Sequence, residues 1–223
     1  MTATELRNLL ARGVVALLVI GAMAAPAVAQ QTFTCTEVLG FSQSWEWFTG
    51  RSLSASRGNI TVEPDDFLDG WQGRFQFGSS VELWKAADFQ GWEGTYLSPQ
   101  MCPREDVGRI VFNVSGAARD ASAWADDIGT VAALIKAKYP SARRIVMVPV
   151  VGGPEGQCQD VRAAQNHPTV VAAIAMVTAA DDRVAAGPSP TLSDCSHYAD
   201  RLGHLAPAGA AEVHAALSKH FSQ

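Results

Sequence analysis

Hydrophobic positions along the chain alternate between two patterns. Short apolar runs occupy residues 109–115 and 144–151, a further strand-like stretch spans residues 34–39, and a glycine follows each. Such runs read as buried strands. Residues 121–139 instead place Trp124, Ile128, Val131, Leu134 and Ile135 at the spacing of one helical face, and Pro140 ends that helix. Residues 169–179 read as an Ala/Val-rich helix, 183–186 as a short strand, and 207–221 as a closing helix with Pro207 in its first turn. A further short strand is predicted over residues 59–63. The Gly- and Trp-rich stretch 64–103 has weak periodicity and reads as long loops around a short helix near residues 83–89. Buried strands alternating with amphipathic helices predict a single α/β domain: three α/β/α layers around a doubly wound, mostly parallel sheet. Reactive residues in such a sheet sit beyond the carboxyl ends of its strands.

The first 29 residues stand apart from this pattern. Arg7 and Arg12 precede an apolar run over residues 13–25, Pro26 breaks it, and Ala27-Val28-Ala29 forms a small-residue cleavage site. The run is shorter than the roughly 20 residues a membrane span needs. It reads as an export signal, leaving a mature domain of residues 30–223 with no membrane span, placed in the periplasm or the medium. All four cysteines, Cys35, Cys102, Cys158 and Cys195, follow the cleavage point. In an exported chain an even count predicts two disulfides, and three pairings are open. Cys35–Cys102 with Cys158–Cys195 is favoured, because each pair closes a loop within one half of the chain. The absence of C-x-x-C and of close Cys/His spacing argues against a metal site. With 17 Lys and Arg against 22 Asp and Glu, the chain also lacks the basic excess of a nucleic-acid binder.

Two short motifs fall where an α/β domain places its chemistry. Gly40-Phe41-Ser42-Gln43-Ser44 follows the first mature strand, and a serine on a tight strand-to-helix turn presents its hydroxyl beside backbone N–H groups that can stabilise an oxyanion. Asp200-Arg201-Leu202-Gly203-His204-Leu205-Ala206-Pro207-Ala208-Gly209 precedes the last helix, and a histidine beside a carboxylate is the general base a serine needs.

These two blocks, in this order, resemble the SGNH (GDSL-type) hydrolases, flavodoxin-like serine esterases, lipases and carbohydrate deacetylases. The resemblance implies Ser42 as nucleophile, His204 as base and Asp200 as orienting acid, with the Ser42 N–H as one oxyanion donor and no cofactor. It also implies a small or carbohydrate-linked ester as substrate. The chain departs from the family's pattern at three places. Phe41 replaces an aspartate. Asp200 lies four residues before His204 instead of three, so the loop must bulge or Asp194 must serve. The G-x-N-D block that supplies an asparagine oxyanion donor is not recognisable; counting back from the next strand puts Ser115 in its place, with an inward Asn113 as the alternative. The glycine donor falls among Gly73, Gly78 and Gly91, of which Gly78 is preferred. Losing one oxyanion donor typically costs about 100- to 1,000-fold in rate.

Two readings of function follow. One is an exported serine ester hydrolase working through an acyl-enzyme. The other is a weak or inactive relative that binds a glycan or cell-envelope ligand in the same cleft. The six tryptophans, Trp45, Trp47, Trp71, Trp84, Trp92 and Trp124, could stack on sugar rings or fill the core. His167, His197, His214 and His220 show no paired ligand spacing, and His214 and His220 are predicted on the exposed face of the last helix.

Overall fold

The computed structural model describes residues 32–99 and 101–223. The predicted export signal and its cleavage site lie outside the described residues. From Phe33 to Gln223 the chain forms one compact unit. Its sheet is built from β1 (Thr36–Gly40), β2 (Trp71–Phe75), β3 (Tyr96–Leu97), β4 (Arg109–Val114), β5 (Arg144–Pro149) and β6 (Val184–Ala186). The strand order is β3-β2-β1-β4-β5-β6, and every pairing is parallel except the β2–β3 edge. The chain therefore winds outward from β1 in both directions, with the switch point between β1 and β4.

Among the described residues five α-helices pack around the sheet: α1 (Ser42–Thr49), α2 (Val81–Trp84), α3 (Ala121–Lys138), α4 (Arg162–Ala180) and α5 (Pro207–Phe221). Right-handed crossovers put α1 on one face and α3 and α4 on the other. The packing agrees, since α1 lies against α5 and α3 against α4. Helix α3 starts where Asp120 accepts the Ala123 N–H at 2.8 Å. Its face of Trp124, Ile128, Val131 and Ile135 is fully buried against the sheet. This is the α/β/α fold the sequence predicts.

Three spans differ from the sequence reading. Residues 59–63 form no strand. The stretch from 64 to 103 holds two strands, β2 and β3, in addition to the loops and short helix expected there, the helix falling at Val81–Trp84. Strand β2 escapes the hydrophobic pattern because one of its faces buries a polar network. Glu37 on β1 is fully buried and accepts from Arg74 Nε (2.6 Å), Gln72 Nε2 (2.6 Å) and the Tyr139 hydroxyl (2.8 Å). A buried carboxylate is tolerable only when its lone pairs are satisfied in this way. Finally, α4 starts at Arg162, seven residues earlier than predicted, and runs through Pro168.

The tryptophans resolve as packing. Trp45, Trp47, Trp84, Trp92 and Trp124 are essentially inaccessible. Trp84 meets Trp92 at 4.9 Å and Phe112 at 5.6 Å between ring centroids. Trp71 is partly covered by Phe221 and lies under the Arg109 guanidinium. Both disulfides join the pairs favoured above, Cys35–Cys102 and Cys158–Cys195. Two disulfides are the pattern of a protein that folds in an oxidising compartment. No helix among the described residues is long and apolar enough to cross a membrane.

Candidate active site

The turn from β1 into α1 shows why the first motif has its spacing. Gly40 must lack a side chain, because a Cβ there would lie 2.0 Å from Ser44 Oγ. That close approach lets Ser44 Oγ accept the Phe41 N–H at 3.0 Å and donate to Asn113 Oδ1 at 3.1 Å. The second serine of the block is thus a brace. It stops the chain at Phe41 and launches the helix with Ser42 as its first residue. The N–H groups of a helix's first turn have no intrahelical acceptor, so that of Ser42 is free to face an anion.

The second motif meets the first. Ser42 Oγ lies 2.8 Å from His204 Nε2, and His204 Nδ1 lies 2.6 Å from Asp200 Oδ2. The extra residue between Asp200 and His204 is absorbed by a tight loop, in which Asp200 Oδ1 accepts the N–H groups of Leu202, Gly203 and His204 at 2.8, 3.0 and 3.2 Å. Gly203 makes this loop at φ +105°, and a Cβ there would strike Ala163 at 2.2 Å. Partial burial pushes the Asp200 carboxyl up, but the bonds from the His204 ring and from the loop's N–H groups outweigh it and hold Asp200 below its ordinary range. Asp194, the other candidate acid, is exposed and accepts the Ser196 N–H at 2.7 Å.

The serine and histidine open onto a cleft of about 590 Å³ at the carboxyl ends of the strands, beside the switch point. Gly78, at φ +70°, and Ser115 line it as well, together with Phe77 and Leu53. Asn113 does not line it. Its side chain is buried, and Nδ2 donates to the carbonyls of Val148 and Pro149, both at 3.1 Å. Both amide hydrogens are committed to the β4–β5 edge, which removes Asn113 from the oxyanion donors. Gly73 lies within β2, and Gly91 packs against Phe89; neither lines the cleft. No tryptophan lines it either, which favours core packing over sugar stacking for these residues.

Two residues of α1 that the motif reading passed over hold the site together. Gln43 is buried, donates from Nε2 to the Gly203 carbonyl at 2.8 Å and accepts the Val151 N–H at 2.9 Å. It ties the serine's helix to the histidine loop and to the segment after β5. Glu46 is fully buried and accepts the N–H groups of Leu53 (3.0 Å) and Leu205 (2.9 Å). Burial raises its carboxyl to about 7, against the lowering effect of the two N–H bonds. The available sequence signal was its position: a glutamate between Trp45 and Trp47, in a helix short enough to be buried all round.

The remaining histidines have other partners. His197 Nδ1 lies 2.6 Å from Glu212 Oε2, and His167 Nε2 lies 2.7 Å from Ser189 Oγ. His214 is not on an exposed face, because its Nδ1 donates to the Trp47 carbonyl at 3.0 Å; His220 is exposed, as predicted.

No family model and no curated protein matches the sequence. Among solved structures the chain is similar to the acetyl xylan esterase Est2A from the rumen bacterium Butyrivibrio proteoclasticus, with a TM-score of 0.49 and 12% identity over 86% of this chain. It spans 64% of that esterase, less than two thirds of its length. It is also similar to a carbohydrate esterase described as having divergent catalytic and non-catalytic binding functions in its active site, with a TM-score of 0.48, 10% identity, and coverage of 87% of this chain and 70% of that one.

Proposed function

We propose that this chain is an exported serine ester hydrolase of the SGNH type, acting on a small or carbohydrate-linked acyl ester. Residues 1–29 are its export signal and 30–223 its single catalytic domain. The observation that carries the reading is the hydrogen-bonded chain from Ser42 through His204 to Asp200, with distances of 2.8 and 2.6 Å, opening into the cleft.

The geometry suits acyl transfer. His204 Nε2 takes the Ser42 proton as Oγ attacks the ester carbonyl, while Asp200 fixes the ring through Nδ1 and stabilises the imidazolium. The oxyanion forms over the first turn of α1 and accepts from the Ser42 N–H, with Gly78 N–H and the Ser115 hydroxyl on the facing wall. His204 then returns its proton to the departing alkoxide. Water, deprotonated by the same nitrogen, attacks the acyl-enzyme carbonyl, and His204 hands that proton to Ser42 Oγ as the acyl–oxygen bond breaks and the acid leaves. No step calls for a cofactor.

Commitment of Asn113 to the sheet favours a second reading, in which the cleft binds a glycan without turnover. Labelling of the mature protein with a fluorophosphonate probe decides between them, since the probe reports an activated serine without a known substrate. Label is expected on the wild type and absent from Ser42→Ala and His204→Ala. A folded wild type that takes up no label overturns the hydrolase reading.

A further inference from the structure

The segment after His204 is held at Leu205 by both of its backbone groups. Its N–H goes to Glu46 Oε2 at 2.9 Å, and its carbonyl accepts from Ser52 Oγ at 2.5 Å. The other Glu46 oxygen accepts the N–H of Leu53, which lines the cleft beside Ser42. One side chain on the serine's own helix therefore fixes both the histidine segment and the neighbouring wall. We propose that ionised Glu46 is a positioning residue of the esterase, and that its protonation releases one of these two N–H groups and loosens the alignment of His204 with Ser42. This rests on the ester-hydrolase reading.

Chemistry dictates the direction. A carboxylate is acceptor-only and can satisfy two N–H groups; a carboxylic acid turns one oxygen into a donor, which then faces an N–H. Glu46 is inaccessible to water, so no solvent replaces the lost acceptor. Burial places its ionisation at about 7, inside the working range of a histidine base. The charges bearing on it are those of His204, which favours ionisation, and Asp200, which opposes it. Other charged or titratable groups on surrounding elements have partners of their own. Arg51 pairs with Asp66, Arg74 with Glu37, and His214 donates to the Trp47 carbonyl.

The test compares wild type with Glu46→Gln. The ratio of wild-type to Glu46→Gln fluorophosphonate labelling rates is expected to be on the order of ten where Glu46 is ionised and to fall toward one as the pH drops below about 7. Glu46→Gln, a permanent mimic of the neutral acid, should label on the order of tenfold more slowly than wild type at the high-pH plateau. Alongside, amide ¹H–¹⁵N spectra of wild-type and Ser42→Ala protein should show the Leu53 and Leu205 signals titrating together with one midpoint. That measurement needs neither the variant's folding nor any esterase activity. Absence of label at every pH would end the esterase reading itself. A wild-type to Glu46→Gln rate ratio that does not change with pH, or Leu53 and Leu205 amides that do not move between pH 5 and 9, would overturn the role of Glu46.

Discussion

Removal of the Cys158–Cys195 disulfide tests how the histidine is held. The bridge joins the segment before α4 to the short turn Cys195–His197, whose chain continues into Asp200 and His204. It closes a loop with a sequence separation of 37. Treated as chain entropy removed from the unfolded state, a loop of that length contributes about 4 kcal/mol. In a domain of this size each kcal/mol moves the melting temperature by roughly 2–4 °C, so the loss amounts to about 8–16 °C. Cys158→Ala with Cys195→Ala is the suitable pair. Cys158 has a positive φ of 57°, and alanine carries the same Cβ, so the backbone strain there is unchanged.

Thermal unfolding followed by circular dichroism gives the stability, and the fluorophosphonate labelling rate at 20 °C gives the site. The melting temperature should drop by the amount above while labelling stays within about twofold. The histidine segment keeps its other ties: Tyr198 hydroxyl to the Val151 carbonyl (2.9 Å), Ala199 N–H to the His204 carbonyl (2.7 Å), and the Gln43 and Glu46 bonds. A shift below about 2 °C would refute the loop-entropy argument. Lost labelling at 20 °C with the fold intact would show that the bridge, and not the hydrogen bonds, sets the geometry of His204.

Three further outcomes follow from the same contacts. Gln43→Leu leaves the buried Val151 N–H and Gly203 carbonyl unpaired, which should cost about 2–5 kcal/mol in chemical unfolding; a loss below about 1 kcal/mol would mean that both groups find other partners. Because the Glu46 carboxyl ionises at about 7 in the fold against 4.5 as its ordinary value, the native state holds the proton more tightly. Its contribution to stability is full below pH 4.5 and declines by about 3 kcal/mol as pH rises to 7, a dependence that urea titrations should show in wild type and not in Glu46→Gln. Arg162 is the one lysine or arginine lining the cleft and has no ion pair among the described residues. Arg162→Glu should therefore lower kcat/KM about tenfold more for esters of carboxylate-bearing alcohols than for neutral ones. Equal effects on the two classes would remove Arg162 from substrate recognition.

The layers of the fold were legible wherever burial and periodicity coincide. Strands β4 and β5 and helices α3 and α5 bury apolar faces at regular spacing, and their predicted spans agree with the structure to within two residues at either end. Strand β2 was hidden because what it buries is polar. Gln72 and Arg74 serve Glu37, and a hydropathy pattern has no way to register a satisfied carboxylate. The start of α4 was hidden for the opposite reason. Pro168 looks like a boundary, yet the turn before it is held by Arg162 N–H on the Arg201 carbonyl and by the buried amide of Asn166, which donates to the Gly116 carbonyl at 3.0 Å.

The Ser42–His204 pair was legible because its proposed chemistry is carried by residue type, whereas its support is carried by contacts across the chain. Ser42 and His204 stand 162 positions apart, and each belongs to a short block with its own local logic. Gln43 and Glu46 have no such block; their partners, Gly203 and Leu205, are backbone groups whose sequence identity says nothing. Asn113 shows the converse error. An asparagine at the end of a strand beside a nucleophile invites a role in the oxyanion site, but its neighbours already claim every hydrogen it can donate. A polar side chain near a reactive serine is available for chemistry only after the backbone around it has been satisfied. In this fold that condition leaves Ser42 and His204 lining the cleft, with Asp200 behind the histidine ring and Ser44, Gln43, Glu46 and Asn113 bracing the segments that carry them.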